Sequence, residues 1–262
     1  MIGDLAYTSI ETITAFDMAG NYWFSIDELQ DATIGQTQET VDITGKQGRL
    51  ISRMKRNKAV TVSGTNGLIS GGLLEVQTGS SFEDKTTEVL WTDYLTVNSN
   101  KATTAFKAIG TAGNEIEAVY VKATDGTVGR KLEQAAEAAD GKFAYAPATK
   151  ELTFSGLNDG TEIVAYYKRK ISASVHTNKS DNYSGKAMLY VDAMAEDKCG
   201  NIYHVQFFFP KADFSGEFSI EMGDNPAVHA FEAESMAGGC SAGVSSALWT
   251  YTVFGANTED AN

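Results

Sequence analysis

The chain has 262 residues, 34 acids against 21 bases, and a formal charge of −13 at neutral pH. That length can bury a substantial core without a staple, and two cysteines, Cys199 and Cys240, are too few for a disulfide framework. No apolar stretch nears the roughly 20 residues of a spanning helix, and the first residues lack a secretory signal pattern, so a soluble protein made in the cytoplasm is expected.

The first feature along the chain is a basic block. Lys46, Arg49, Arg53, Lys55, Arg56 and Lys58 fall in 13 residues without an acid, leaving 15 bases against 34 acids elsewhere. A basic block on an acidic body reads as a surface made to meet another. Three roles fit it. Phosphate neutralisation on a nucleic acid is opposed by the acidic body; a solvated loop and contact with an acidic face of an identical neighbour remain open. Exposed ion pairs contribute about 0–1 kcal/mol each, so charge in such a contact sets register and speeds docking while strand pairing and apolar groups hold it.

Next, the stretch Thr65 to Gly79 predicts a short helix, capped by Thr65 or Asn66 and closed by Gly79. Leu68, Leu73, Leu74 and Val76 supply its packing face, and Gly71 and Gly72 each cost about 1 kcal/mol of propensity, so the helix depends on tertiary packing.

From there the chain reads as strands. Gly is frequent (25) and Pro scarce (3), which fits strands joined by turns. Ile116 to Thr124, Leu152 to Ser155 and Glu162 to Lys170 are short, rich in β-branched and aromatic residues, and bounded by Gly or Asn-Asp-Gly turns. Lys131 to Ala139 suits a helix or a β-edge equally. Lys186 to Ala193 and Ile202 to Phe209 flank a turn ending Gly200-Asn201 and predict a hairpin. Further strands are expected at Phe214 to Met222, Val228 to Ala233 and Leu248 to Phe254. The segment 97–170 has its own strand and turn series and is expected to form a small inserted β-sandwich, with 1–96 and 171–262 as the main β core.

Catalytic and metal signals are weak. Gly239-Cys240-Ser241-Ala242-Gly243 matches GxSxG, yet no histidine follows it and no alternating βα pattern surrounds it, so a Gly/Ser loop is expected. Cys240 has no histidine at a spacing that marks a nucleophile and base, and His176, His204 and His229 show no metal spacing. Gly45-Lys46 lacks the upstream Gly and the following Ser or Thr of a phosphate-binding loop. No enzyme activity, metal or cofactor is expected.

The order of the stretch from Ile43 to Lys58, then Ala59 to Ser70 and Gly72 to Leu74, resembles the loop, strand and helix of bacteriophage major tail tube proteins. Phe214 to Met222, Phe231 to Glu234 and Leu248 to Phe254 are similar to the closing strands of that family. The resemblance covers about 1–96 and 171–262. It implies a mainly β fold, a β-sandwich or barrel with one short flanking helix, assembling as hexameric rings stacked into a tube through which DNA passes without specific binding. It further implies that a long loop near 41–58 reaches a neighbouring ring, making the six cations inter-subunit contacts, that other tail proteins are partners, and that the protein ends in the virion. The 97–170 segment departs from the family's minimal core and is expected to be an outward decoration. The alternative is another β-rich virion or surface component, such as a capsid decoration or carbohydrate-binding module, with Tyr120, Tyr145, Phe154, Tyr166 and Tyr167 as a sugar site.

Overall fold

A computed structural model describes residues 4–123, 126–221, 228–238 and 246–255. The described chain is mainly β with one α-helix and two sheets, as the sequence predicts. Its strands are β1 (Leu5–Phe16), β2 (Tyr22–Ile26), β3 (Leu29–Thr44), β4 (Leu50–Asn66), β5 (Phe82–Thr96), β6 (Lys101–Thr103), β7 (Ile116–Lys122) and β8 (Val128–Gln134). They continue with β9 (Lys142–Ala146), β10 (Glu151–Phe154), β11 (Glu162–His176), β12 (Lys186–Asp197), β13 (Ile202–Phe214), β14 (Ile220–Glu221), β15 (Val228–Ser235) and β16 (Thr250–Gly255). The helix α1 is Gly71–Thr78.

The chain divides into two compact units, one from the described residues of Met1–Phe82 and His176–Asn262, the other Glu83–Val175. The first holds a sheet in the order β2-β1-β12-β13-β15-β4-β3, with β14 on β15 and β16 on β13. This sheet curls into a half-barrel. Alternation decides which side is dry: on β12, Ala187, Leu189, Val191, Ala193 and Ala195 are buried while Lys186, Met188, Tyr190 and Asp192 face the other way. Ile13, Phe24, Val60, Val62, Phe209 and Phe231 complete the same core.

The helix covers part of that core. Ser70 accepts from the Leu73 N–H at its start, and Gly79 closes it at φ 67°, donating to Glu75 O at 2.8 Å. Gly79 therefore caps as predicted, but the N-cap is Ser70, because β4 runs through Asn66 and keeps Thr65 and Asn66 in the sheet. Leu73 and Val76 are fully buried and Leu74 half-buried, whereas Leu68 precedes the helix and is 60% exposed. The expected role of Leu68 in helix packing is thus wrong. Gly72 explains its own propensity cost: a Cβ there would overlap Phe24 Cβ, so only glycine lets α1 settle on β2.

A buried polar relay fixes the helix to β15. The Ser70 N–H donates to His229 Nδ1 at 3.4 Å, which leaves Nε2 as the protonated nitrogen, donating to Gln77 Oε1 at 2.7 Å. Gln77 Nε2 in turn donates to the Ala230 carbonyl at 3.0 Å. Burial pushes the His229 pKa below the usual imidazole range, so the ring is held neutral.

The second unit is built on the strand path β5-β11-β7-β8-β9-β10-β6. Val119, Leu132, Phe143, Leu152, Ile163 and Tyr167 form its core. Its buried Asp93 accepts from Tyr167 Oη (2.7 Å), Trp91 Nε1 (2.9 Å) and the Ala105 N–H (2.8 Å). Burial and this bond raise the Tyr167 pKa to about 12. Arg169 lies over Trp91 and Phe106, at 4.4 and 3.6 Å from their ring centres.

Several sequence expectations meet the structure directly. The hairpin across residues 196–201 is present, with Glu196 opposite Ile202 and Asp197 capping the turn. Lys131 to Ala139, open between helix and edge, is the end of β8 followed by a turn. The expected strand over Phe214 to Met222 is not continuous: Phe214 ends β13 and, among the described residues after it, only Ile220–Glu221 pairs, against β15.

Candidate functional site

β3 and β4 run antiparallel from Leu29 opposite Asn66 out to Thr44 opposite Leu50. Near the sheet they are ordinary core strands, with Ile34 opposite Val62. Beyond Val60 the contacts end. From residue 38 to residue 58 every side chain is exposed except half-buried Val41 and Gly45. The two strands leave the sheet as a solvated ribbon, and its tip turns through a short 3-10 turn at Lys46–Gly48.

The turn is chemically specified. Gln47 and Gly48 take left-handed backbone angles (φ 63° and 72°), and the Gly45 N–H donates to Arg49 O at 2.8 Å. The expected long loop at 41–58 is therefore a β-ribbon, and the basic block occupies its turn and its returning strand. β-branched Thr37, Thr40, Val41, Ile43, Thr44 and Ile51 favour that extended form.

The six cations do not behave alike. Arg53 bonds Asp42 through two nitrogens at 2.6 and 3.0 Å, and Arg56 bonds Glu39 at 2.7 Å, both across the ribbon. Asn57 Nδ2 also donates to Glu39 at 2.6 Å. Among the described residues, Lys46, Arg49, Lys55 and Lys58 have no ion-pair partner. Arg53 and Arg56 thus brace the ribbon, and the four others are available to a second surface.

The Arg53 guanidinium holds the Asp42 carboxyl below its ordinary pKa, and Arg56, then Asn57, do the same for Glu39. A carboxylate depressed in the folded state contributes stability above its ordinary value and loses it as pH falls through the depressed one. Acidification from neutrality to well below pH ~4 is therefore expected to loosen the ribbon. Faster amide exchange across residues 39–56, with the amides of β12 and β13 still protected, is the outcome. Asp42→Asn is expected to abolish the pH dependence near Arg53.

Apolar groups form the rest of the ribbon surface. Ile51 is 64% exposed and Met54 57%, and Ile43 and Leu50 are exposed beside them. Side chains two apart share a face, so Val41, Ile43 and Met54 lie together while Asp42, Arg53 and Lys55 point the other way. A two-stranded ribbon in water is marginal on its own, and this one leaves four large aliphatic side chains exposed.

Charge separates this arm from its own unit. Of the 34 acids and 21 bases, 21 acids and 10 bases belong to the half-barrel unit. The ribbon, 38–58, holds six of those bases and two of the acids, a charge of +4, so the rest of the unit has four bases against 19 acids, or −15. The second unit is nearly neutral, with 11 bases and 13 acids.

The aromatics proposed as a sugar site are mostly core. Phe154 and Tyr167 are buried, and the Tyr145 hydroxyl accepts from the Ala108 N–H inside the second unit. Tyr120 and Tyr166 pack edge to face on each other. The GxSxG stretch and Cys240 lie outside the described residues, whereas Cys199 is an exposed free thiol in the β12–β13 turn. Among the described residues no cluster of His, Cys, Asp and Glu suits a metal, and no helix is long and apolar enough to cross a membrane.

A curled β half-barrel with one docked helix and a projecting ribbon makes this a mainly β protein. The chain belongs to the YomU/Tube protein family, whose model matches residues 7–248. That match spans nearly the whole chain and agrees with the tail tube resemblance in the sequence. None of the curated proteins matches it.

Proposed function

We propose that this chain is the subunit of a phage tail tube, with copies joining in rings, six to a ring, that stack into a conduit for DNA. The observation that carries this reading is the ribbon: an exposed arm of charge +4, with apolar side chains beside its turn, on a unit otherwise at −15. Such an arm has a complementary partner in another copy of the same chain. Lys46, Arg49, Lys55 and Lys58 guide it to that neighbour, while Arg53 and Arg56 keep it straight.

The acidic body suits a conduit, because a polyanion slides past like charge without being held. The segment 97–170, within the second unit, decorates the outside of the tube. Other tail proteins cap the tube, assembly takes place in the host cytoplasm, and the product resides in the virion tail. The role is structural, with no catalytic residue and no cofactor. Electron microscopy of the purified protein over a range of salt and concentration tests the reading: rings or tubes support it, and a uniform monomer throughout overturns it.

A further inference from the structure

Among the described residues, the half-barrel is not filled. Beside the region that α1 covers, an apolar cleft of 510 Å³ lies within the first unit, lined by Tyr7, Ile10, Ala32, Ile34, Phe207 and Trp249 among others. Its lining comes from strands far apart in the sheet order: β1 on one side, β3 on the other, with β12 and β13 between. The aromatic wall is organised. Phe207 packs on Tyr7 (6.3 Å between centres), Trp249 (5.8 Å) and Tyr251 (5.0 Å), and the two tyrosine hydroxyls bond at 3.1 Å. Gln36 accepts from Trp249 Nε1 at 3.4 Å at its margin. Tyr7 is nevertheless 54% exposed.

We infer that this cleft receives the ribbon tip of a second copy, with Ile51 and Met54 entering against Ile34, Phe207 and Trp249. This rests on the tube reading and adds to it the surface that accepts the arm. Two complementarities on the same molecule favour a second copy as occupant. The cleft is an apolar cavity with room for a few aliphatic side chains, and the ribbon presents aliphatic side chains that its own unit leaves in water. The cleft's unit, outside the ribbon, carries −15 and the ribbon +4, so approach is steered and like faces are kept apart. The ribbon is the outward continuation of β3 and β4, which stay paired with each other from Val60 to Leu50.

The test uses the full-length chain with Cys199→Ser and Cys240→Ser. One protein carries Ile51→Cys and a second carries Gln36→Cys; the two are mixed, assembled and treated with a short bismaleimide. A cross-linked band joining the two proteins, with Gln36→Cys alkylated several-fold more slowly in the assembly than in the unassembled protein, is the expected result. A Glu232→Cys protein serves as control, since Glu232 is exposed on the side of β15 opposite the core. If assemblies form but Ile51→Cys couples to Glu232→Cys and leaves Gln36→Cys equally reactive, the cleft assignment is overturned and the tube reading stands. Gln36→Cys already unreactive in the unassembled protein means the chain covers its own cleft, which overturns the assignment as well. Absence of any assembly, at every salt concentration, overturns both.

Discussion

The double variant Ile51→Asp, Met54→Asp stays folded and fails to assemble. In the isolated chain both side chains are largely in water, so exchanging them removes little packing, and surface changes of that kind stay within about 0.5 kcal/mol. In an assembly each would be buried, and burying an aliphatic side chain of this size contributes about 1.5–3 kcal/mol. Placing a carboxylate there forfeits that gain and adds desolvation. The concentration needed for assembly is expected to rise roughly ten-fold or more for each residue replaced. Sedimentation across concentration reads the loss, and an unchanged thermal transition shows that the fold survives.

Charge changes on the same arm act differently. Removing Lys55 and Lys58 weakens steering, a loss that salt mimics, and exposed pairs contribute only about 0–1 kcal/mol each. Reversing Arg53 and Arg56 to Glu impairs assembly by another route, because it sets like charges opposite Asp42 and Glu39 and splays the ribbon that carries the tip.

Leu73→Ala is expected to destabilise the half-barrel unit by about 2–5 kcal/mol. Leu73 is fully buried in the core that holds Phe24, Val60 and Leu189, and those residues sit on paired strands that cannot move inward to close a cavity. The backbone is already tight on both sides of the deleted group: a Cβ on Gly72 would overlap Phe24, and one on Gly79 would overlap the Tyr183 carbonyl. Collapse of α1 onto the gap is therefore blocked. Leu68→Ala, at a position 60% exposed, is expected to change stability by less than about 0.5 kcal/mol. Urea unfolding of the two variants separates them. Equal effects would contradict the packing described for α1.

The difference between Leu68 and Leu73 shows where the sequence was informative and where it was not. Gly79 announced the helix end because only a left-handed residue closes a helix that way, but the start depended on how far β4 extends. Asn66 pairs with both Leu29 and His229, and that long-range pairing outweighed its capping propensity. The strands β12 and β13 were legible because one face is buried and the pattern alternates. The outer ribbon was not, since both of its faces are wet and nothing forces hydrophobic residues to every second place. The signal that remained was β-branched content on both sides of a Gly45 to Gly48 turn. The cations marked the right segment, yet their division into Arg53 and Arg56, paired at home, and the four unpaired ones required the register. The cleft had no signature in sequence at all, because Tyr7, Ile34, Phe207 and Trp249 come together only when the sheet curls.

In the proposed tube, this ribbon joins one copy to another. Negative-stain imaging of the purified chain beside a variant in which residues 38–58 are replaced by an Asn-Gly turn tests it most directly. Rings or tubes from the intact chain and folded, unassembled particles from the variant are the expected result. Tubes from both proteins, or monomers from the intact chain under every condition of salt and concentration, would contradict it.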